Sequence, residues 1–318
     1  PPALPPAKPL AKLPAMPLAM PLAKPPATAA RLRAPRLRRC LPGLLLCLTT
    51  SLPAAQAARP AQAAAPVPMR LPATVQPQAY ALHLQVDPEQ TRHQGEVKIT
   101  LLLQQPIPAR GAIRLHAKGL QLHEIWLEAG ARRWRGRAVQ LDADRVELHF
   151  GQPLAAGPAM LQISFSGPIS TRDVYGLFRQ QEGGQWGAYS QFEATGARQA
   201  FPLFDEPGWK LPWTLSLTVP QALVAVSNMP VASEAVDRPG FKRIQFQPTP
   251  PMPSYLLALG VGRFDLVDAG RAGQDGRVPL RFVVPAGRQA DVAYAAGITG
   301  RILDRLEAWF AMPYPYAK

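Results

Sequence analysis

Gln191 and Glu193 stand two residues apart in the run Gln191-Phe192-Glu193-Ala194-Thr195-Gly196-Ala197-Arg198-Gln199-Ala200-Phe201-Pro202-Leu203-Phe204-Asp205-Glu206-Pro207. If Ser190 to Glu193 is extended, both side chains point to one side, because alternate residues of a strand share a face. A carboxylate held there can bind a cation through charge-assisted hydrogen bonds. An isolated Q-x-E is also what a solvated strand face carries, so residue type alone does not separate the two readings. Further along, Arg198 is placed to pair with Asp205 or Glu206. Phe201, Pro202 and Phe204 read as packing residues, and Asp205-Glu206-Pro207 as a strand terminator.

Metal chemistry has less to work with. The five histidines, His83, His93, His116, His123 and His149, all precede residue 150 and fall in strand-like segments. His123-Glu124-Ile125-Trp126-Leu127 begins like the zinc motif H-E-x-x-H but ends in Leu127. Without a second His one helical turn on, two imidazoles cannot share a metal. The segment also alternates as a strand, so His123 reads as an ordinary residue on a wet strand face. No H-E-x-x-H occurs anywhere in the sequence. The expectation is a chain with no catalytic residue and no metal ligand of its own, inactive when alone.

The elements that must carry these residues are short and alternate at period two. Residues 80–86, 96–101, 145–150, 161–165, 213–219 and 243–246 each place apolar side chains on one face, as half-buried strands do. Gly- and Pro-containing breaks such as Ala156-Gly157-Pro158 and Arg238-Pro239-Gly240 separate them. Many short strands with turn signals predict a mainly β, saddle-shaped or β-sandwich-like domain. The character changes near residue 276. Residues 278–284 read as one more strand. Residues 288–311 read as a helix with Val292, Ala295, Ile302, Leu306, Trp309 and Phe310 roughly on one face. Gly297 and Gly300 weaken it, each by about 1 kcal/mol relative to Ala, and Pro313 and Pro315 end it. A strand and a helix in this place read as the start of a second domain, cut off at Lys318.

Ahead of the β domain the composition is different. The chain of 318 residues begins with Pro rather than Met and reads as part of a longer protein. Residues 1–30 are almost all Pro, Ala, Leu and Lys, a tract that cannot bury a core. Residues 31–57 read as a signal peptide: Arg31, Arg33, Arg36, Arg38 and Arg39, then the apolar stretch Leu41 to Leu52, then Ala55-Gln56-Ala57 as a cleavage site. The apolar stretch is too short to span a bilayer, which takes about 20 residues, so no stable membrane insertion is expected. Residues 58–70 are a linker. The formal net charge of +14 is misleading, because residues 1–86 hold three Lys, seven Arg and no acid. The rest is only mildly basic, and a nucleic-acid partner is excluded. The two cysteines, Cys40 and Cys47, both lie in the leader. The expected destination is the periplasm or the extracellular space, reached without a disulfide in the mature chain.

The 191–207 run resembles the signature at the end of the N-terminal β domain in the aminopeptidase N family of zinc metallopeptidases. Other stretches resemble the same family in the same order. They are Leu71-Pro72 through Tyr80-Ala81-Leu82, Gly95-Glu96-Val97-Lys98-Ile99, Leu115-His116-Ala117-Lys118-Gly119-Leu120 and Tyr175-Gly176-Leu177-Phe178. Met252-Pro253-Ser254-Tyr255-Leu256-Leu257-Ala258, Gly262-Arg263-Phe264 and Pro313-Tyr314-Pro315-Tyr316-Ala317-Lys318 follow. The resemblance implies an N-terminal β domain over 71–275 and the truncated start of a thermolysin-like α+β catalytic domain over 276–318. It implies a parent enzyme that uses one zinc ion to remove residues from peptides with a free N-terminus. It assigns the substrate α-ammonium to Glu193, with Gln191 beside it. Glu rather than Gln at 193 favours the aminopeptidases over the epoxide-hydrolysing branch, and Gly196 stands where family members often carry Asp. Two other readings have different consequences: a non-catalytic relative that keeps the β domain as a scaffold, and an independent binding module. The leader argues against the first and the helix after residue 288 against the second.

Overall fold

A computed structural model describes residues 70–316 and 318. The low-complexity tract, the leader with both cysteines, and the linker up to residue 69 lie outside the described residues.

Among the described residues, seventeen strands carry the fold. In chain order they are β1 (Val75–Gln85), β2 (Arg92–Leu103), β3 (Ile113–His116), β4 (Gln121–Ala129), β5 (Arg132–Arg135) and β6 (Arg137–Gln140). Next come β7 (Arg145–His149), β8 (Gly157–Pro168), β9 (Gly176–Glu182), β10 (Gln185–Gln191), β11 (Trp213–Pro220) and β12 (Val224–Ser227). The last are β13 (Val231–Arg238), β14 (Phe241–Phe246), β15 (Leu259–Gly262), β16 (Phe264–Ala272) and β17 (Val278–Pro285). One helix, α1 (Ala293–Phe310), follows.

Eight strands form the largest sheet, in the order β13-β14-β11-β1-β2-β8-β4-β5. Its neighbours run antiparallel except β1 and β11, which are parallel with Tyr80 opposite Trp213. Alternation decides which face is buried. Leu82 and Leu84 of β1, Val97, Ile99 and Leu101 of β2, and Leu161, Ile163 and Phe165 of β8 all point into one core. The residues between them are wetter and largely polar, as the period-two pattern predicts. Smaller sheets, β12-β15-β10-β9 and β3-β7-β6, contribute residues to that core, among them Ala188, Leu259, Leu115 and Leu148. The strand-rich, multi-sheet architecture is the mainly β domain expected from sequence.

The 191–207 run is sewn into this core by rings. Phe192 and Phe201 meet edge to face at 5.7 Å, and Phe201 meets Trp213 at the same separation. Trp213 stacks on Tyr80 at 4.1 Å. Aromatic pairs of this kind contribute about 0.5–1.5 kcal/mol beyond their burial.

The last segment is a β16–β17 hairpin followed by the helix. A 3-10 turn, Gln289–Val292, precedes α1, which continues without a break through Gly297 and Gly300. Gly300 faces Ala272 and Leu280 of the hairpin, where a Cβ would lie 3.6 Å from that of Ala272. Sequence reads the helix over residues 288–311. The structure makes its first turn 3-10 and its α-helical part Ala293–Phe310, closed at Ala311, whose left-handed backbone (φ 50) reverses the chain while its N–H returns to Ala308 O. Ile302, Leu306, Trp309 and Phe310 remain exposed, Trp309 by 84%.

Candidate functional site

β10 pairs antiparallel with β9, which places Gln191 opposite Gly176. Gln191 is the last strand residue and is exposed. Phe192 turns into the core with 1% of its surface accessible. Glu193 faces solvent again at the start of a turn. Exposure alternates through Glu193, although the strand itself ends two residues sooner. The turn closes when Gly196 N–H donates to Phe192 O at 2.7 Å, and the Glu193–Ala194 peptide is cis. Position 196 has no room for a side chain, since a Cβ there would sit 2.7 Å from Gln191 O.

Downstream, the turn is tied to the core by a charged cluster. Arg198 Nε donates to Asp205 Oδ2 at 2.9 Å, and Arg198 Nη2 to Asp205 O at 3.0 Å. Arg198 Nη1 reaches Asp144 Oδ2 at 3.2 Å. The other Asp205 oxygen accepts from Ser254 Oγ at 2.6 Å. Of the two acids open to Arg198 on sequence, Asp205 is the partner. Glu206 instead accepts the Leu71 N–H at 2.7 Å. Asp205 is thus a buried structural acid, and Glu206 fastens the first described segment to the run.

His116 belongs to the same cluster. Asp205 N–H donates to His116 Nδ1 at 3.1 Å, so the ring is neutral with its proton on Nε2. Burial, reinforced by the Arg198 charge, pushes its pKa down to about 4. Each of the other histidines also has a local contact, although among the described residues the buried His93 Nδ1 has no hydrogen-bond partner. His93 Nε2 lies 2.7 Å from Ala200 O, and burial lowers its pKa. His83 Nδ1 lies 2.9 Å from Ser216 Oγ, again with a pKa lowered by burial. His149 lies 3.3 Å from Glu147. His123 is exposed on β4, 3.0 Å from Ser166 Oγ, while Leu127 of the incomplete motif is fully buried. Among the described residues, no three His, Cys, Asp or Glu side chains stand close enough to hold a metal ion. They do not fit a zinc site.

Three residues of this region were not singled out by sequence as parts of it. Tyr80 accepts the Phe204 N–H at 3.1 Å, and Ser254 and Tyr175 also bond to the run. Tyr80 carried a signal: a tyrosine on the buried side of a strand needs a partner for its hydroxyl. Ser254 and Tyr175 carried none.

The class is that of a peptidase's N-terminal β domain. The sequence matches the Peptidase M1 N-terminal domain over residues 76–256. It is 31% identical to Aminopeptidase N of Acetobacter pasteurianus, over 77% of this chain and 68% of that relative. It is 31% identical to Aminopeptidase M1-B of Oryza sativa subsp. japonica, over 78% of this chain and 28% of the relative. Human Glutamyl aminopeptidase is 30% identical over 78% of this chain, which spans 26% of its length. The chain belongs to the aminopeptidase N family, peptidase family M1. Among the described residues, no helix is long and apolar enough to cross a membrane.

Proposed function

We propose that this chain provides the amine-recognising part of an exported zinc aminopeptidase, with Glu193 as anchor of the substrate α-ammonium and Gln191 beside it. One observation carries the reading: Gln191 and Glu193 are both exposed, while Phe192 between them is locked in the core. The backbone that presents the two polar groups is therefore held from beneath. An aminopeptidase must hold a positive chain terminus at a fixed distance from the bond it cuts. A carboxylate does so through charge-assisted hydrogen bonds, and fixed placement lowers the entropic part of the barrier. Zinc in such an enzyme would supply Lewis-acid polarisation of the scissile carbonyl and an activated water, and the described residues would not hold it. No step of that hydrolysis is assigned to the described residues. Their part is to bind and orient the amine end of a peptide.

The test is kcat/KM on an aminoacyl anilide with the full-length protein, zinc content checked in each variant. Removing one partner of a hydrogen-bonded charge pair costs about 2–5 kcal/mol, so Glu193→Ala should lose at least roughly 30-fold. Glu193→Gln should lose less, since the amide still accepts a hydrogen bond, and Gln191→Ala less again. Near-parent kcat/KM for Glu193→Ala at full zinc occupancy would remove the anchor.

A further inference from the structure

The turn that carries Glu193 is fastened from outside. Gly196 precedes the 3-10 turn Ala197–Gln199, and no side chain caps that turn. Across the β9–β10 ladder stands Tyr175, the residue before Gly176. Thr195 N–H donates to the Tyr175 phenolic oxygen at 2.8 Å. The phenol and the Thr195 hydroxyl lie 3.0 Å apart. A phenol both accepts and donates, so one hydroxyl can serve both contacts. Gly176, at φ 75, sets the chain direction there, and a Cβ on it would lie 3.2 Å from Gln199 Cβ. Glu193 is thus spanned by two fixed points: Phe192 in the core on one side, and Thr195, held by Tyr175, on the other.

We propose that Tyr175 is a positioning residue for Glu193, its phenol holding the turn so that the carboxylate meets the substrate amine in one geometry. The proposal rests on the reading of Glu193 as the amine anchor. In this role Tyr175 acts on Glu193 through its contacts with Thr195. Without the hydroxyl, the Thr195 N–H turns to water and the carboxylate samples a wider arc. Amine binding weakens, and the loss falls on KM more than on kcat.

The experiment is a double-mutant cycle in the full-length protein, assayed on an aminoacyl anilide. Tyr175→Phe keeps the ring and removes the hydroxyl. A single hydrogen bond of this kind corresponds to roughly a two- to tenfold rise in KM, with an unchanged urea midpoint. In the Glu193→Ala background the same change should move KM by less than about twofold, since the group it positions is gone. Glu193→Ala with parent activity overturns the anchor reading and this proposal together. A damaged Glu193→Ala beside an unaltered Tyr175→Phe overturns the positioning role alone. So does an equal Tyr175→Phe effect in both backgrounds, which would mean that Tyr175 acts on something other than Glu193.

Discussion

Asp205→Ala should cost far more stability than an ordinary surface acid does. The Asp205 side chain is 2% exposed and that of Arg198 11%. Truncation removes the 2.9 Å contact to Arg198 and the 2.6 Å acceptor of Ser254. Breaking a buried pair by deleting one partner typically costs about 3–5 kcal/mol. Arg198 keeps Asp144 at 3.2 Å and the backbone oxygen of residue 205 at 3.0 Å. Those contacts place the expected loss near the lower end, about 3 kcal/mol. With a urea m-value of about 3 kcal/mol/M, the midpoint should fall by about 1 M. Asp205→Asn should lose roughly half as much. Its amide oxygen still accepts from Arg198 and its NH2 can donate to Ser254 Oγ, but the ion pair is lost and the Ser254 bond becomes neutral, about half as strong as a charge-assisted one. The assay is equilibrium urea unfolding followed by tryptophan fluorescence, since Trp213 lies within the same aromatic cluster. A midpoint shift below about 0.3 M for Asp205→Ala, or an Asn variant weaker than the Ala variant, would refute the reasoning.

Acid should destabilise the protein through His116. Its pKa is lowered from 6.5 to about 4 in the fold, so the unfolded chain binds the extra proton first, and stability falls as pH drops from about 6.5 towards 4. His116→Gln should flatten that slope in pH-dependent unfolding curves. Purified, untagged chain should hold no stoichiometric zinc by elemental analysis and should leave aminoacyl anilides uncut; one tightly held zinc per chain would contradict this. N-terminal sequencing of exported protein should find a start at or within a few residues of Ala58, and a start at or before residue 40 would exclude the leader as read.

Much of the fold was legible because burial writes itself into period two. Leu82 and Leu84, or Val97 and Ile99, alternate with wetter neighbours, and the structure buries them as the pattern requires. Which strands become neighbours was not legible. Alternation fixes a face and says nothing of partners, so the parallel β1–β11 pairing left no trace in either segment. The helix illustrates another limit. Its apolar residues line up at the right spacing, yet it meets the hairpin along the Gly300 face, because the small residue permits close approach. At the candidate site, the alternating exposure of Gln191 and Glu193 around Phe192 was legible in the run, and Arg198 was narrowed to two acids. The choice of Asp205 depends on Ser254, which is 49 residues away in sequence and folds back beside it. Tyr175 reaches Thr195 only because the β9–β10 register brings together residues 20 apart.

The parallel pairing of β1 with β11 also sets a timetable. His83 and Ser216, which meet across that pair, are 133 residues apart in the chain. At roughly 5–20 residues per second of synthesis, β1 waits about 7–27 s for its neighbour. β2 can cover one side of β1 early, but the other edge stays bare until β11 emerges. Bare strand edges recruit other chains. Ribosomes that stall between residues 103 and 213 should therefore release aggregation-prone products, whereas those that stall just past residue 246 release chains able to complete the large sheet. Chaperone demand along this message should be greatest in that interval.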